Sequence, residues 1–247
     1  MKLLKTLLLT EIKLSLRAMD SVFFGILFPI GLAIVLGAIF GDKLAYDGAS
    51  YTWLQQSFAA VGVVGICATG LMGLPLTVSD YRDKKVRKRF RVTPVSPGAL
   101  LLVQILLSLG MAIISTLGVY GVYSVFFGYR MLGSLLPFTL SYALVAIAIY
   151  SLGLLLASLA GNIKVANLIC TLVYFPMLFL SGATIPYEVM PTRLQYVANA
   201  LPLTHGIRLL KGISLGYETE SLSLPILVMI ALAVGCTILS LRFFRWE

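Results

Sequence analysis

The sequence predicts an all-α membrane protein that crosses the bilayer with six transmembrane helices. Its 247 residues are 59% hydrophobic and 12% charged, with a mean hydropathy of +0.97, whereas soluble domains carry about 25% charged residues. Several apolar stretches reach the roughly 20 residues that a helix needs to cross a membrane. Only hydrogen-bonded helices satisfy the backbone of such stretches in lipid. The predicted spans are residues 21–40, 57–79, 98–127, 135–160, 165–183 and 222–241.

Residues 1–20 form a separate segment ahead of the six-helix domain, residues 21–247. Apolar residues recur on one helical face of this segment: Leu4, Leu8, Ile12, Leu16 and Met19. Its basic residues lie mostly off that face, a pattern that predicts an amphipathic helix in the headgroup layer. A signal peptide is the alternative. The short apolar run, and the lack of a small-residue cleavage site before residue 21, favour the interfacial helix.

Basic residues predict the orientation of the chain in the membrane. Seven of the ten residues 82–91 are Lys or Arg, and a charged residue at the centre of a membrane helix costs roughly 2.5 to 3.5 kcal/mol. Such a block stays on the cytoplasmic side. Counted over alternate segments of the predicted topology, 14 Lys and Arg fall on this side and 5 on the other. Both termini are therefore predicted to be cytoplasmic.

The basic loop, residues 80–97, also carries two apolar side chains. Val86 and Phe90 are four residues apart, so a short helix would present both on one face to a groove in a partner. Pro94 and Pro97 then end that helix. The alternative is a solvated charge run that only fixes orientation or touches anionic lipid. The apolar pair and the two prolines favour a docking element.

The connection between the last two spans, residues 184–221, is predicted to form a short external re-entrant hairpin. Pro191 suits the first turn of a helix, and Pro202 is expected to stop it. Apolar residues recur along one face of that helix: Leu194, Val197 and Leu201. A dozen residues extend only about 18 Å, too short to cross the bilayer. The hairpin is expected to act either as an external gate or as a packed interfacial loop.

The six predicted spans contain no Asp, Glu, Lys, Arg or His. Ion-coupled carriers commonly place ionisable residues in the membrane, so this pattern argues against ion coupling. Most polar residues in the spans are expected to join helices. Gln104, Asn167 and Thr171 are the candidates for a transport path, although a helix partner also accounts for Gln104. The cysteines are expected to be small buried hydrophobes: they are Cys67, Cys170 and Cys236.

The sequence predicts neither an enzyme nor a nucleic-acid-binding protein. His205 is the only histidine, and it is expected to make a hydrogen bond in a loop. No HExxH or phosphate-loop motif and no second histidine are present, so catalytic, metal and cofactor sites are all predicted to be absent. Any ATP would be bound by a partner subunit. The net charge of +9 follows the membrane topology, which excludes a nucleic-acid surface.

Three features together resemble the permease subunits of type-2 ABC transporters, usually bacterial exporters of about this length. The first is the amphipathic N-terminal helix. The second is the basic loop ending in Arg91-Val92-Thr93-Pro94-Val95-Ser96. The third is Ser181-Gly182-Ala183-Thr184-Ile185-Pro186, which leads to Met190-Pro191 and Leu201-Pro202-Leu203-Thr204-His205.

The resemblance implies that the basic loop is a coupling helix seated on a nucleotide-binding subunit. The implied ATPase-coupling residues are Asp83, Val86, Arg87, Phe90, Arg91, Thr93 and Pro94. The implied external-gate residues are Gly182, Pro186, Glu188, Pro191 and Pro202. Family members commonly carry Glu-x-Gly-Thr-x-Glu in the loop, where this chain has Asp83, Lys85, Val86 and Lys88. The departure predicts a partner with a more acidic groove.

The function predicted from these features is export across the bacterial cytoplasmic (inner) membrane. Two permease chains, identical or paralogous, would pair with two ABC ATPase subunits. The cargo is expected to be amphipathic or hydrophobic, such as a drug, peptide antibiotic, lipid or lipid-linked glycan. The alternative is a stand-alone secondary transporter or channel for a small uncharged solute. A membrane-embedded enzyme is disfavoured because no catalytic cluster is visible.

Overall fold

The computed structural model describes residues 2–17, 19–41, 43–45, 51–85, 97–185, 187, 190–217 and 222–243. This part of the chain is nearly all helical. Six of its helices are long and apolar enough to cross a membrane, as the sequence predicts. The six are α2 (Phe23–Phe40), α3 (Trp53–Asp83), α4 (Pro97–Phe127), α5 (Leu135–Leu159), α6 (Ile163–Leu180) and α9 (Ser223–Phe243). Three further helices are α1 (Lys2–Arg17), α7 (Thr192–Ala200) and α8 (Pro202–Ser214).

Helix α3 lies at the centre of the bundle. Of its most apolar stretch 83% is buried, against 61% for α5 and 22–39% for the other four membrane helices. Its start is fixed by a capping box, in which Thr52 Oγ1 accepts from the backbone of Gln55, and Gln55 Oε1 accepts from the backbone of Thr52. The core of the protein is therefore built around this one helix.

Glycines bring α3 and α5 into backbone contact. A Cβ atom on Gly153 of α5 would lie 1.9 Å from the carbonyl oxygen of Gly70 on α3. A Cβ on Gly70 would lie 2.5 Å from the ring of Tyr150. Small residues at such crossings let membrane helices approach closely, because lipid tails provide no hydrophobic drive for association. The crossing holds α3 and α5 at their observed separation.

Helix α3 continues through Pro75 to Asp83, beyond residue 79, where the predicted span ends. A π-helical turn, Thr69–Gly73, directly precedes this proline. Proline lacks the backbone donor and its ring crowds the preceding turn, and a π-turn accommodates that local irregularity. A second π-turn, Phe23–Leu27, begins α2. Pro75 therefore does not end the helix, and α3 delivers Tyr81, Arg82 and Asp83 in helical geometry.

Helix α1 forms where predicted but buries a different face. Leu7 and Glu11 are its buried residues and α1 packs on α4, while Leu16 and Met19 of the predicted apolar face are 62% and 77% exposed. Their exposure in this chain leaves part of the predicted apolar face uncovered by the protein. Glu11 lies on the packed side, because its carboxylate has polar partners inside the protein. The position of α1 in the headgroup layer stays a prediction.

The hairpin between α6 and α9 contains two helices rather than one. The predicted helix of residues 190–201 corresponds to α7, which ends just before Pro202 as expected, and Pro202 then begins α8. Proline is well suited to the first position of a helix, where its missing donor is not needed. His205 lies in α8 rather than in a loop, and its Nε2 atom is 3.0 Å from the Asn199 carbonyl oxygen. Almost all of α8 is buried.

Candidate functional site

Polar groups concentrate at the two ends of α3. The loop end comprises residues 79–85 and the parts of α1, α4, α5 and α6 that contact them. The hairpin end comprises the start of α3, the residues after α6, and α8. The chemistry of the two ends differs.

At the loop end, Arg82 binds the C-terminal end of α5. Its guanidinium donates to the carbonyl oxygen of Ala157 at 3.3 Å and to that of Ala160. The last carbonyls of a helix have no donor within the helix, so a cation at this position both completes their hydrogen bonds and suits the helix dipole. Arg82 therefore ties the end of α3 to the end of α5.

Asp83 binds the first residue of α6. Its Oδ2 atom accepts a hydrogen bond of 2.8 Å from the backbone N–H of Ile163. Asn162 caps the same helix by accepting from Val165 at 2.9 Å. A carboxylate at a helix N-terminus is favourable because unpaired N–H groups and the positive end of the dipole meet there. The two residues Arg82 and Asp83 thus connect α3 to two different helices.

One residue before Arg82, Tyr81 connects α3 to α1 and α4. The Tyr81 hydroxyl donates to Glu11 Oε2 at 2.6 Å, and the Gln104 amide donates to the same oxygen at 2.8 Å. Gln104 is also 3.4 Å from the Tyr81 hydroxyl. Glu11 is 8% exposed, and a buried carboxylate is stable only when it is hydrogen-bonded in this way. We name the residues Glu11, Tyr81, Arg82, Asp83 and Gln104 the junction.

Only part of the predicted coupling set lies in the described chain. Asp83 belongs to the junction, whereas Val86, Arg87, Phe90, Arg91, Thr93 and Pro94 lie outside the described residues. Sequence reasoning did not identify Glu11, Tyr81 or Arg82. One signal was available for Glu11: it is the only acid in α1, and it lies four residues after the buried Leu7, on the same helical face.

The candidate transport-path residues fall in two places. Gln104 donates to Glu11 of α1 in the junction, which agrees with the alternative that a partner on another helix accounts for this residue. Asn167 and Thr171 lie one helical turn apart on α6, where Asn167 is exposed and Thr171 is half-buried. The described residues leave this face of α6 largely uncovered. The path assignment of all three residues stays a prediction.

Hydroxyl pairs link the inner helices along the length of α3. Ser57 of α3 lies 3.1 Å from the Tyr123 hydroxyl, and Thr69 lies 3.0 Å from that of Tyr150. Between them, Thr116 of α4 bonds the Tyr142 hydroxyl at 2.9 Å. Such bonds between membrane helices average about 0.6 kcal/mol. These side chains act as connections within the bundle.

At the hairpin end, α3, α6 and α8 enclose a small pocket of about 50 Å³. Its polar lining comes from the start of α3, the turn after α6, Tyr187 and α8: Gln56, Ser57, Ser181, Thr184, Tyr187, Thr204, Arg208 and Lys211. Gly182, a predicted gate residue, also lines it, with a φ of +95° that favours glycine. Pro191 caps α7 and Pro202 begins α8, while Pro186 and Glu188 lie outside the described residues.

The described residues include no group of three His, Cys, Asp or Glu side chains placed to hold a metal ion. Cys67, Cys170 and Cys236 are buried and form no disulfide. Burial among apolar neighbours is typical of structural rather than reactive cysteines.

A comparison with known families decides the class of protein. The description "ABC-2 type transporter" matches residues 2–215, most of the chain. The chain belongs to the ABC-2 type transporter family. The resemblance drawn from the loop and hairpin motifs is thereby confirmed. Members of this family are membrane permease components that generally work with ABC ATPases.

Individual relatives agree with this family. Nodulation protein J of Rhizobium meliloti (strain 1021) is 29% identical over 223 residues, which cover 89% of this chain and 82% of the relative. Nodulation protein J of Rhizobium leguminosarum bv. viciae is 27% identical over 207 residues, or 83% and 77% of the two chains. The inner membrane transport permease YhhJ of Escherichia coli (strain K12) is 27% identical over 163 residues, 65% of this chain and 43% of that protein.

Proposed function

We propose that this chain is the permease subunit of an ATP-driven exporter in the bacterial cytoplasmic membrane. Two permease chains, identical or paralogous, would assemble with two ABC ATPase subunits that bind and hydrolyse the ATP. The termini and the basic loop would face the cytoplasm. The proposal rests on the family and on one structural observation, the junction at the base of the basic loop.

The junction supports coupling because it connects the loop to the bundle. The loop leaves α3 just after Asp83 and enters α4 at Pro97. Through Tyr81, Arg82 and Asp83 the end of α3 is bonded to α1, α5 and α6. Rigid elements that are bonded together move together, so a push on the loop would displace several helices at once. A loop with a single flexible attachment would move without displacing the helices.

The charge of the loop supports an acidic docking site on the ATPase. Seven of residues 82–91 are basic, and complementary charge raises the rate and specificity of association. Val86 and Phe90 would supply the apolar contacts at the centre of that interface, with Arg87, Arg91, Thr93 and Pro94 around them. Asp83 would take part in coupling through the junction, where its carboxylate binds the N-terminus of α6.

The cargo is proposed to be amphipathic or hydrophobic, such as a drug, antibiotic, lipid or lipid-linked glycan. The predicted spans carry no ionisable side chain, and the inner hydroxyls bond one another. A path would therefore run along the uncovered helix faces, where Asn167 and Thr171 supply polar groups. Gln104 would join it only when its bond to Glu11 opens. Gly182, Pro186, Glu188, Pro191 and Pro202 would form the gate at the far end.

The test is co-purification with the ABC ATPase that binds the wild-type chain. The double change Val86→Asp and Phe90→Asp is expected to preserve membrane insertion but to abolish both ATPase co-purification and ATP-dependent transport. Two new carboxylates would desolvate poorly in an apolar contact. The matched control is Val86→Ala with Phe90→Leu, which keeps the face apolar and should retain the complex. An intact complex with normal transport in the Asp double variant would refute the coupling assignment.

A second measurement separates an exporter from a stand-alone carrier. The chain alone, reconstituted in liposomes without nucleotide or ATPase, is expected to accumulate no solute against its gradient. Addition of the ATPase and ATP should start transport. Uphill accumulation by the chain alone would instead identify a secondary transporter, and ATP-independent downhill flux of a small solute would identify a channel.

A further inference from the structure

We propose that the hairpin-end pocket binds a phosphate group, carried either by a lipid headgroup or by a soluble phosphate ester. The pocket belongs to the permease chain itself, so this inference does not depend on the ATPase partner. It rests on the charge of α8, on two buried hydroxyls and on the position of the pocket at the ends of membrane helices.

The first step is the positive charge of the pocket. Arg208 and Lys211 lie three residues apart on α8, so both side chains lie on one helical face, and both line the pocket. Arg208 contacts neutral groups: its Nη2 atom is 2.5 Å from Asn199 Oδ1, and its guanidinium carbon lies 4.3 Å from the centre of the Tyr187 ring. No Asp or Glu is found among the described residues that line the pocket. These contacts of Arg208 with described residues are thus neutral, and its cationic group forms part of the pocket wall.

The second step is a pair of buried hydroxyls. Ser181 and Thr204 line the pocket, each is 1% exposed, and neither hydroxyl has a hydrogen-bond partner in the described part of the chain. A buried polar group without a partner costs about 1–3 kcal/mol, so native proteins rarely keep one without reason. Hydroxyl groups donate readily to anionic oxygens, and charge-assisted bonds of this kind are the stronger ones. A rotation of either side chain toward the cavity would give its hydroxyl a partner when an oxyanion enters.

The size of the pocket and its depth in the membrane also suit a phosphate group. A cavity of about 50 Å³ has room for a few water-sized groups, which suits one phosphate rather than an acyl chain. Its walls include Trp53 at the start of α3 and residues just after Leu180 at the end of α6. These helix ends, with Trp53 and Tyr187 beside them, correspond to the headgroup layer of a bilayer. Phosphate is the anion that lipid headgroups present at this depth.

The experiment uses Trp53 as a reporter. The chain has two tryptophans, Trp53 and Trp246, so the full-length Trp246→Phe variant leaves a single tryptophan, and this one lines the pocket. The purified protein is kept in dodecyl maltoside, which contains no phosphate. One arm titrates inorganic phosphate and glycerol phosphate. The other adds phosphatidylglycerol or, as its phosphate-free match, diacylglycerol to the micelles.

We expect a saturable change in Trp53 fluorescence with phosphate-bearing probes and none with diacylglycerol or acetate. A response to the soluble probes supports a soluble phosphate ester as ligand. A response to phosphatidylglycerol alone supports a lipid headgroup. Both results place a phosphate in the pocket. No saturable response in either arm, or equal affinity for acetate, overturns the inference.

Substitutions locate the binding in the pocket. Arg208→Gln is expected to weaken phosphate binding roughly tenfold or more, since a hydrogen bond to a charged group is lost. The pair Ser181→Ala and Thr204→Val should also weaken it, whereas Arg208→Lys keeps the charge and should retain most of the affinity. Arg193→Gln is the matched control, because Arg193 is an exposed cation on α7 outside the pocket.

Each variant is checked for helicity and for a single symmetric peak in gel filtration, so that a misfolded protein is not counted as a binding defect. Unchanged phosphate affinity in a folded Arg208→Gln protein would overturn the assignment even if the wild type binds. The ATPase co-purification proposed for the Val86 and Phe90 variants is independent of this titration. A negative result in one experiment therefore leaves the conclusion of the other unchanged.

Discussion

Helices α3 and α9 are both membrane spans, yet they occupy opposite positions in the protein. The central helix α3 has a mean hydropathy of 1.9 and is 83% buried, while the peripheral α9 has a higher hydropathy of 2.5 and is 28% buried. The more apolar helix is thus the less buried one. In a bilayer, moving an apolar helix from the lipid-exposed surface to the centre of the bundle gains no hydrophobic free energy, because lipid tails are as apolar as leucine.

Small residues and hydroxyls account for the central position of α3. Gly70 allows backbone contact with Gly153, and Ser57 and Thr69 bond tyrosines on neighbouring helices. Gly235 of α9, in contrast, has open space around its missing side chain. Packing and hydrogen bonding, rather than hydropathy, therefore decide which span is central.

The largest effect is expected from closing the glycine contact between α3 and α5. Gly153→Ala places a methyl group 1.9 Å from the Gly70 carbonyl oxygen, so the two backbones must separate. Overpacking typically costs about 1–3 kcal/mol, and a clash this close with a backbone atom is expected to cost about 3 kcal/mol or more in stability, measured as a lower thermal midpoint in detergent. Gly235→Ala is the control, since no atom lies within 4 Å of the added group. Equal midpoints for both variants would contradict the contact.

A smaller loss is expected at the junction. Arg82→Ala removes the donors to Ala157 and Ala160, and hydrogen bonds of charged groups contribute about 1.5–3 kcal/mol. The variant should unfold at lower temperature and, under the proposed function, lose ATP-dependent transport. Lys84→Ala is the neighbouring control. Its side chain is 65% exposed and pairs only one turn away with Asp80, an arrangement worth about 0–1 kcal/mol. A stable, fully coupled Arg82→Ala protein would show that the Arg82 bonds do not hold the end of α3 to α5.

The smallest effect is expected inside the bundle. Thr116→Val removes the bonds to the Tyr142 hydroxyl and the Gly62 carbonyl while keeping the side-chain shape, so a loss of about 0.6 kcal/mol is expected. Thr139→Val is the control, because the exposed Thr139 hydroxyl bonds only Leu136 of its own helix. A double-mutant cycle with Tyr142→Phe measures the pair directly. A coupling energy of zero would mean that the Thr116–Tyr142 bond does not stabilise the bundle.

The number and location of the spans were predictable from the sequence. Each span is an apolar stretch of sufficient length, and this property needs no knowledge of neighbouring helices. Their arrangement was not predictable in the same way. The central place of α3 depends on contacts such as that between Gly70 and Gly153, which are far apart in the chain.

Two local features lay beyond the sequence pattern. Helix α7 ends just before Pro202, as expected, but Pro202 also begins α8, since proline both ends one helix and suits the first turn of the next. Glu11, for which the sequence predicted no role, is buried because Tyr81 and Gln104 supply partners from other helices. Periodicity alone shows neither a second helix after a proline nor a distant partner for a carboxylate.

The bond between Asp83 and Ile163 makes α6 a direct connection between the junction and the hairpin-end pocket. Its 18 residues extend about 27 Å, from Ile163 beside Asp83 to Ser181, which follows the helix and lines the pocket. Pro176 lies inside this continuous helix, about one turn before the pocket, and its missing N–H removes one of the backbone hydrogen bonds of the helix. A tilt applied at Asp83 would therefore meet a less firmly bonded turn just before Ser181, so the stiffness of α6 at Pro176 sets how much of the tilt reaches the hairpin.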